Sequence, residues 1–337
     1  MLLERAPLAP ADAIRRLTPL QAQFAPAPYI ALAARLDGFR RDALEAAFAG
    51  GDVVKTTIMR ATLHAVAADE YAAYAQLARQ TRLRNLHKVH GHLDLERVEA
   101  ELRVWLREPR SNAELRERLW ELDGMTRDAW TPILFVRTLL PLVQLPPAGA
   151  WADRGRAPFV VHDGTLPSPE DAAAHVLGRY LAAFGPAGLR DAASWAGATQ
   201  RDFAGAPERL GAVTLRGPDG GRLLDLPGAP LPPGDMPLPV RLLAHWDQPL
   251  LAYADRERVI PTAVQPLKLT LSGDPTVTVD GRGAASWAVE RDGDAVRLMV
   301  TPHVDIGRAA RAAIRTEAER TARFCEPDAR TVEVAGV

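Results

Sequence analysis

The sequence predicts an α+β protein made of three tandem winged-helix modules followed by a small C-terminal β-barrel-like domain with one helix. Three observations lead there. Runs with apolar residues at helical spacing are followed, three times over, by short strand-like runs. The segment from Pro227 to Pro239 then interrupts the chain with six prolines and two glycines, a composition that disfavours any packed element. Beyond it, strand-like runs are separated by Gly273-Asp274, Asp280-Gly281 and Asp292-Gly293, dipeptides suited to tight hairpins.

The first module spans residues 1–90. A short helix from Ala11 to Leu17 stops where Thr18-Pro19 biases the backbone toward an extended form. Pro28 can open a helix that closes at Asp37-Gly38, and Arg41 to Phe48 forms another. From Val53 to Val66 β-branched residues dominate, and Arg60, Thr62 and His64 alternate with apolar neighbours, as on a strand with one polar face. A helix begins after Asp69. The second module, 91–166, carries Leu95, Val98, Leu102 and Leu106 at helical spacing. Ser111 followed by Glu114 is a capping-box signature. A helix from Ala129 to Leu140 precedes strands at Leu142–Leu145 and Phe159–Val161. In the third, 167–227, the stripe Ala173, Val176, Leu177, Tyr180, Leu181 and Phe184 is helical; Gly197 breaks a short helix, and strands fall at Val213–Leu215 and Leu223–Leu226. A linker occupies 228–239. The last domain, 240–337, offers strands at Leu267–Leu271, Thr276–Val279, Ala284–Val289, Ala295–Val300 and Thr331–Val334, with Trp287 as filling and a helix from Ile306 to Phe324.

Composition sets outer limits. The 337 residues are 47% hydrophobic, enough for more than one core. Lys+Arg of 41 against Asp+Glu of 42 leaves a net charge of −1, so bulk electrostatics do not announce a polyanion; any such surface must be local. Cys325 stands alone, which rules out an internal disulfide and a thiolate zinc site and points to a reducing compartment. No apolar run reaches the roughly 18 residues of a membrane span, and the N-terminus lacks an apolar signal core, so a cytoplasmic protein without membrane partner is expected. His87, His90 and His92 cluster with no carboxylate or thiolate among them, so neither a metal nor another cofactor is expected. No glycine-rich phosphate loop or Ser/His/Asp spacing appears. Lys55, Lys88 and Lys268 are the only lysines, leaving little scope for Schiff-base chemistry.

The stretch that organises the chain is Leu20-Gln21-Ala22-Gln23-Phe24. Its period of two is that of an extended segment, so Gln21 and Gln23 are expected to point the same way, with Leu20, Ala22 and Phe24 opposite. Amides are neither acids nor bases near neutral pH. They can orient a water and present carbonyl dipoles to a developing cation. By themselves the two residues are read more simply as glutamines that line a helix end and hydrogen-bond water or backbone.

The wording around them is familiar. LTPLQAQFAPAPYIALAARLDGF and VVKTTIMRATLHAV resemble the opening of the AlkZ/YcaQ-type DNA glycosylases, and LLAHWDQPLLAYADRERVIP with VDGRGAASWAVERDG resembles that family's C-terminal part. The sequence departs from the family wording at Lys55-Thr56-Thr57-Ile58, where an aromatic is frequent, and at Ala61, where glycine is usual.

The resemblance implies winged-helix modules that bind double-stranded DNA carrying alkylpurine lesions, and it marks Gln21 and Gln23 as the active-site pair. A purine alkylated on N7 already carries positive charge, so its departure needs no protonation, and neutral dipoles that hold water and stabilise the sugar cation suffice. The expected activity is therefore that of a monofunctional, monomeric glycosylase for N7-alkylated or bulky alkylpurines. Asp247 could stabilise the sugar cation or orient a glutamine, although capping and turn formation account for it equally. Arg60, Thr62 and His64 are candidate phosphate contacts, and Arg282, on the Asp280-Gly281 turn, a candidate minor-groove contact. The alternative is a winged-helix DNA-binding protein or regulator without catalysis.

Overall fold

The computed structural model describes residues 1–128, 130–262 and 273–337. Their contacts divide into two compact units, one made of Ile14–Ala25 and Glu45–Ala229, the other of Met1–Ala13, Pro26–Leu44 and Pro230–Val337.

The first unit is built on an antiparallel sheet of β1 (Leu20–Gln21), β2 (Val53–Thr57), β3 (Leu63–Ala67), β4 (Leu142–Gln144) and β5 (Phe159–Val161), in the order β1-β3-β2-β4-β5. The continuous strand expected from Val53 to Val66 is therefore two strands, with Ile58–Thr62 as their connection. The strands expected to be the wings of two separate modules also belong to one sheet, because the free edge of β2 pairs with β4 at Lys55↔Gln144 and Thr56↔Val143. Polar groups reinforce the seam. Thr56 Oγ1 and Tyr71 Oη both donate to the Leu142 carbonyl, at 2.6 and 3.1 Å. Lys55 Nζ meets Asp153 Oδ2 at 2.6 Å, both side chains almost wholly covered.

Helices follow the expected periodicity. Val98, Leu102 and Leu106 pack with Leu115, Leu119, Ile133, Val136 and Phe159 in a common core. Ser111 and Glu114 form the expected capping box. The helix expected from Ala129 runs over Thr131–Leu139, and Ala129 lies outside the described residues. The helix Tyr71–His90 packs against Pro169–Phe184, where Glu70, buried, forms an ion pair with Arg179. Leu189–Ala196 ends at Gly197, whose φ of +69° gives the left-handed cap that glycine adopts without strain. A separate hairpin of β6 (Val213–Arg216) and β7 (Arg222–Asp225) follows.

The second unit holds β8 (Arg241–Leu243), β9 (Thr276–Val279), β10 (Arg282–Asp292), β11 (Ala295–Pro302) and β12 (Thr331–Ala335), in the order β12-β11-β10-β9-β8. The expected barrel is not closed: among the described residues this is an open sheet with β8 and β12 at its edges. The helix Arg308–Cys325 turns Ile314, Ala318 and Ala322 inward. Trp287 is buried and its indole N–H donates to the Leu243 carbonyl at 3.0 Å. The strand expected at Leu267–Leu271 lies outside the described residues. Burial pushes the Cys325 thiol up to about 12, which makes it unreactive. Among the described residues no helix is long and apolar enough to cross a membrane.

Candidate active site

The glutamine pair sits at an edge of the first unit's sheet. β1 is only two residues long; Leu20 faces Ala65, and Gln21 faces His64. One further rung, Ala22 N–H to the Leu63 carbonyl at 2.8 Å, holds the end of the segment. There the regular pairing stops. Gln23 lies in a bend, and its Oε1 accepts the Leu63 N–H at 3.4 Å. The side chain thus takes the place of the next backbone acceptor.

The two carboxamides consequently differ in surroundings. Gln21 is buried, and its Oε1 is covered with no hydrogen-bond donor among the described residues. Gln23 is exposed, as is Phe24 after it. The common direction expected from a period of two fails at the bend that leads to the Ala27–Ala33 helix, since alternation holds only while the backbone stays extended. What the two share is an anchor: Gln21 opposes His64, and Gln23 binds the neighbouring Leu63.

The β2–β3 connection forms the other side of this site. Arg60 and Ala61 have φ of +52° and +57°, a left-handed conformation that costs a residue with Cβ about 1–2 kcal/mol. Glycine would be at ease at position 61. The strain is held by contact with the end of the Leu189–Ala196 helix. A Cβ on Gly197 would lie 2.6 Å from the backbone nitrogen of Arg60 and 2.8 Å from its Cα. Arg60 Nη1 donates to the Trp195 carbonyl.

Arg60, Thr62 and His64 therefore do not line a strand face. Thr62 Oγ1 donates to the Met59 carbonyl at 3.2 Å. His64 is fully buried, with Nδ1 2.9 Å from the Thr62 carbonyl and Nε2 3.4 Å from Arg60 Nη2. Nδ1 thus carries the proton and Nε2 accepts from the guanidinium. Burial, then the Arg60 charge, pull the imidazole down to about 3, against a smaller opposite effect of the Thr62 carbonyl. His64 is neutral across the working pH range and covered from solvent, so the phosphate contact expected of it is replaced by a structural one. Neutral, with its only N–H committed to a carbonyl, it also supplies no general acid beside Gln21.

Asp247 belongs to the second unit. Arg35 grips it as a fork, Nη1 to Oδ2 at 3.0 Å and Nη2 to Oδ1 at 2.5 Å, with both side chains essentially without exposed surface. Its Oδ2 also accepts the Ala244 N–H at 3.3 Å. A carboxylate so enclosed and so fully bonded ties the turn at Ala244–Asp247 to the Ala27–Ala33 helix region; the turn-forming role replaces the expected contact with a sugar cation. Nothing in the sequence singled out Arg35, an arginine within an apolar run. Arg282 is half exposed at the start of β10, where Nη2 donates to the Glu257 carbonyl at 3.2 Å. His90 packs edge-on to Phe135 at 5.2 Å, and His92 Nε2 lies 3.1 Å from the Asp123 carbonyl; among the described residues no three His, Cys, Asp or Glu side chains group as metal ligands would.

A family model described as "DNA glycosylase AlkZ-like" matches residues 14–324. The chain belongs to the AlkZ-like DNA glycosylase family. It is thus a DNA glycosylase, an enzyme whose substrate partner is DNA. The structure is similar to that of Streptomyces sahachiroi DNA glycosylase AlkZ, with a TM-score of 0.78 at 22% identity over 99% of this chain and 96% of that one. At that identity the likeness speaks for the fold. No curated protein sequence matches.

Proposed function

We propose that this glycosylase releases N7-alkylated or bulky alkylpurines from double-stranded DNA as a monofunctional enzyme, with Gln21 and Gln23 positioning the attacking water and their carbonyl dipoles facing the sugar cation. The observation that carries the reading is the covered, donor-free Oε1 of Gln21 beside a neutral His64. A buried carbonyl without a donor is unfavourable by about 1–3 kcal/mol, and a water or a cationic sugar would relieve it. The neutral His64, its N–H bound to a carbonyl, supplies no acid to protonate a leaving purine. That suits a base whose own charge makes it leave, and it predicts slow release of undamaged purines. Lys55, engaged with Asp153, is not disposed to form a Schiff base, so an abasic site is the expected product. Arg282 is proposed as a DNA contact from an exposed hairpin turn.

The test is base release from duplex DNA containing a single 7-methylguanine. Loss of one preorganised dipole typically costs about 3 kcal/mol, roughly a hundredfold in rate. Gln21→Ala and Gln23→Ala are expected to fall by that order while DNA affinity is kept. Full activity in both variants would remove the proposed site, and borohydride trapping of a covalent adduct would overturn the monofunctional reading.

A further inference from the structure

A cavity of about 340 Å³ opens between the helices Tyr71–His90 and Thr131–Leu139, with Ala61 of the β2–β3 tip in its wall. Leu86 and Phe135 are its buried apolar lining, and Val89 and Leu134, 58% and 47% exposed, are its apolar rim. Asn85, His90, Thr131 and Thr138 also line it, and its charged donor is Arg82. The guanidinium Nε donates to the Ala78 carbonyl at 3.0 Å, whereas Nη1 is covered and donates to nothing among the described residues. Among the described residues no carboxylate pairs with it. Burial pulls its pKa to about 10, so it stays charged at neutral pH. The Arg82 charge in turn weighs on Arg137, whose guanidinium lies over the Phe159 ring at 4.5 Å and whose Nε is also covered without a partner.

Arg35, fully buried, has its carboxylate in Asp247; Arg82, half-buried, has none among the described residues. A covered donor without an acceptor is unfavourable, and an acceptor brought by a ligand would satisfy Nη1. The combination of apolar walls, a volume within the range of small-molecule sites and a charged donor fixed by its Ala78 contact selects an apolar group with a hydrogen-bond acceptor at its inner end. The location indicates what carries that group. Ala61 is two residues from Leu63, whose N–H binds the Gln23 side chain, and two residues of extended chain span at most about 7 Å.

We propose that this cavity receives the substituent of the damaged purine, and that it selects an aromatic or otherwise apolar group ending in a carbonyl or carboxamide acceptor bound by Arg82. The inference rests on the glycosylase site argued above and assigns its substrate preference.

The experiment measures kcat/KM for base release, above the spontaneous rate, from three duplexes carrying 7-methylguanine, 7-benzylguanine or 7-(4-carbamoylbenzyl)guanine. The wild-type protein is expected to prefer the carbamoylbenzyl adduct. Arg82→Met is expected to lower the carbamoylbenzyl-to-benzyl ratio tenfold or more, the scale of a lost hydrogen bond to a charged donor. Leu134→Trp, at a partly exposed rim position that tolerates substitution, is expected to lower both benzyl substrates at least tenfold relative to the methyl one. Parallel loss on all three substrates would overturn the proposal and make Arg82 a general DNA-binding or folding residue, as would release of the methyl adduct alone by wild type. Failure of wild type to release any of the three would instead strike the glycosylase site itself, and the substituent cavity would fall with it.

Discussion

Two hairpins of this protein solve the same problem in opposite ways. The β9–β10 turn has Asp280 and Gly281 at φ of +49° and +74°, residues that accept the left-handed conformation readily. The β2–β3 tip puts Arg60 and Ala61 there instead, neither suited to it, and relies on the end of the Leu189–Ala196 helix lying against Arg60. One turn is stable by its own chemistry. The other holds its shape only because a distant segment does, and it is this second one that carries the groups around Gln21 and Gln23.

The difference can be broken most severely at Gly197. Gly197→Ala combines a positive φ with a clash against backbone atoms, and it is expected to destabilise the protein by about 3–5 kcal/mol. The thermal transition should fall accordingly, and base release should fall more than binding of undamaged DNA. A variant of wild-type stability would show that the β2–β3 tip does not depend on this contact.

Acid separates the hairpins next. His64 has a folded pKa near 3 against an ordinary value of 6.5, so between these values the unfolded chain binds the additional proton. Its contribution is complete above about 6.5, declines as pH falls at up to about 1.4 kcal/mol per unit, and changes no further below about 3. Urea midpoints measured from pH 7 to 4 should drop less steeply in His64→Gln than in wild type. Equal slopes would place the imidazole in solvent.

The smallest effect is expected at the self-sufficient turn. Gly281→Ala meets only the end of the Leu238 side chain and should cost about 1 kcal/mol, with release of 7-methylguanine within about twofold of wild type. A loss approaching that of Gly197→Ala would erase the distinction.

The sequence alone determined what local chemistry controls. Helical stripes, the Ser111–Glu114 capping box, the Gly197 stop and the β9–β10 and β10–β11 hairpins stand where periodicity and turn residues put them, because propensity and capping act over a few neighbouring residues. The resemblance carried by LTPLQAQF and MRATLH pointed to the family that residues 14–324 match. Tertiary structure decided the rest. The turn within Val53–Val66 was hidden because Arg60 and Ala61 have no turn signature and are held by residues more than a hundred positions away. The single five-stranded sheet of the first unit arises from a pairing of β2 with β4 that no local pattern encodes. Only the folded chain shows that Gln21 is enclosed while Gln23 is open, that Asp247 is spent on Arg35, and that Arg82 has no carboxylate among the described residues, since burial and long-range partners are properties of the packed molecule and not of neighbours in sequence.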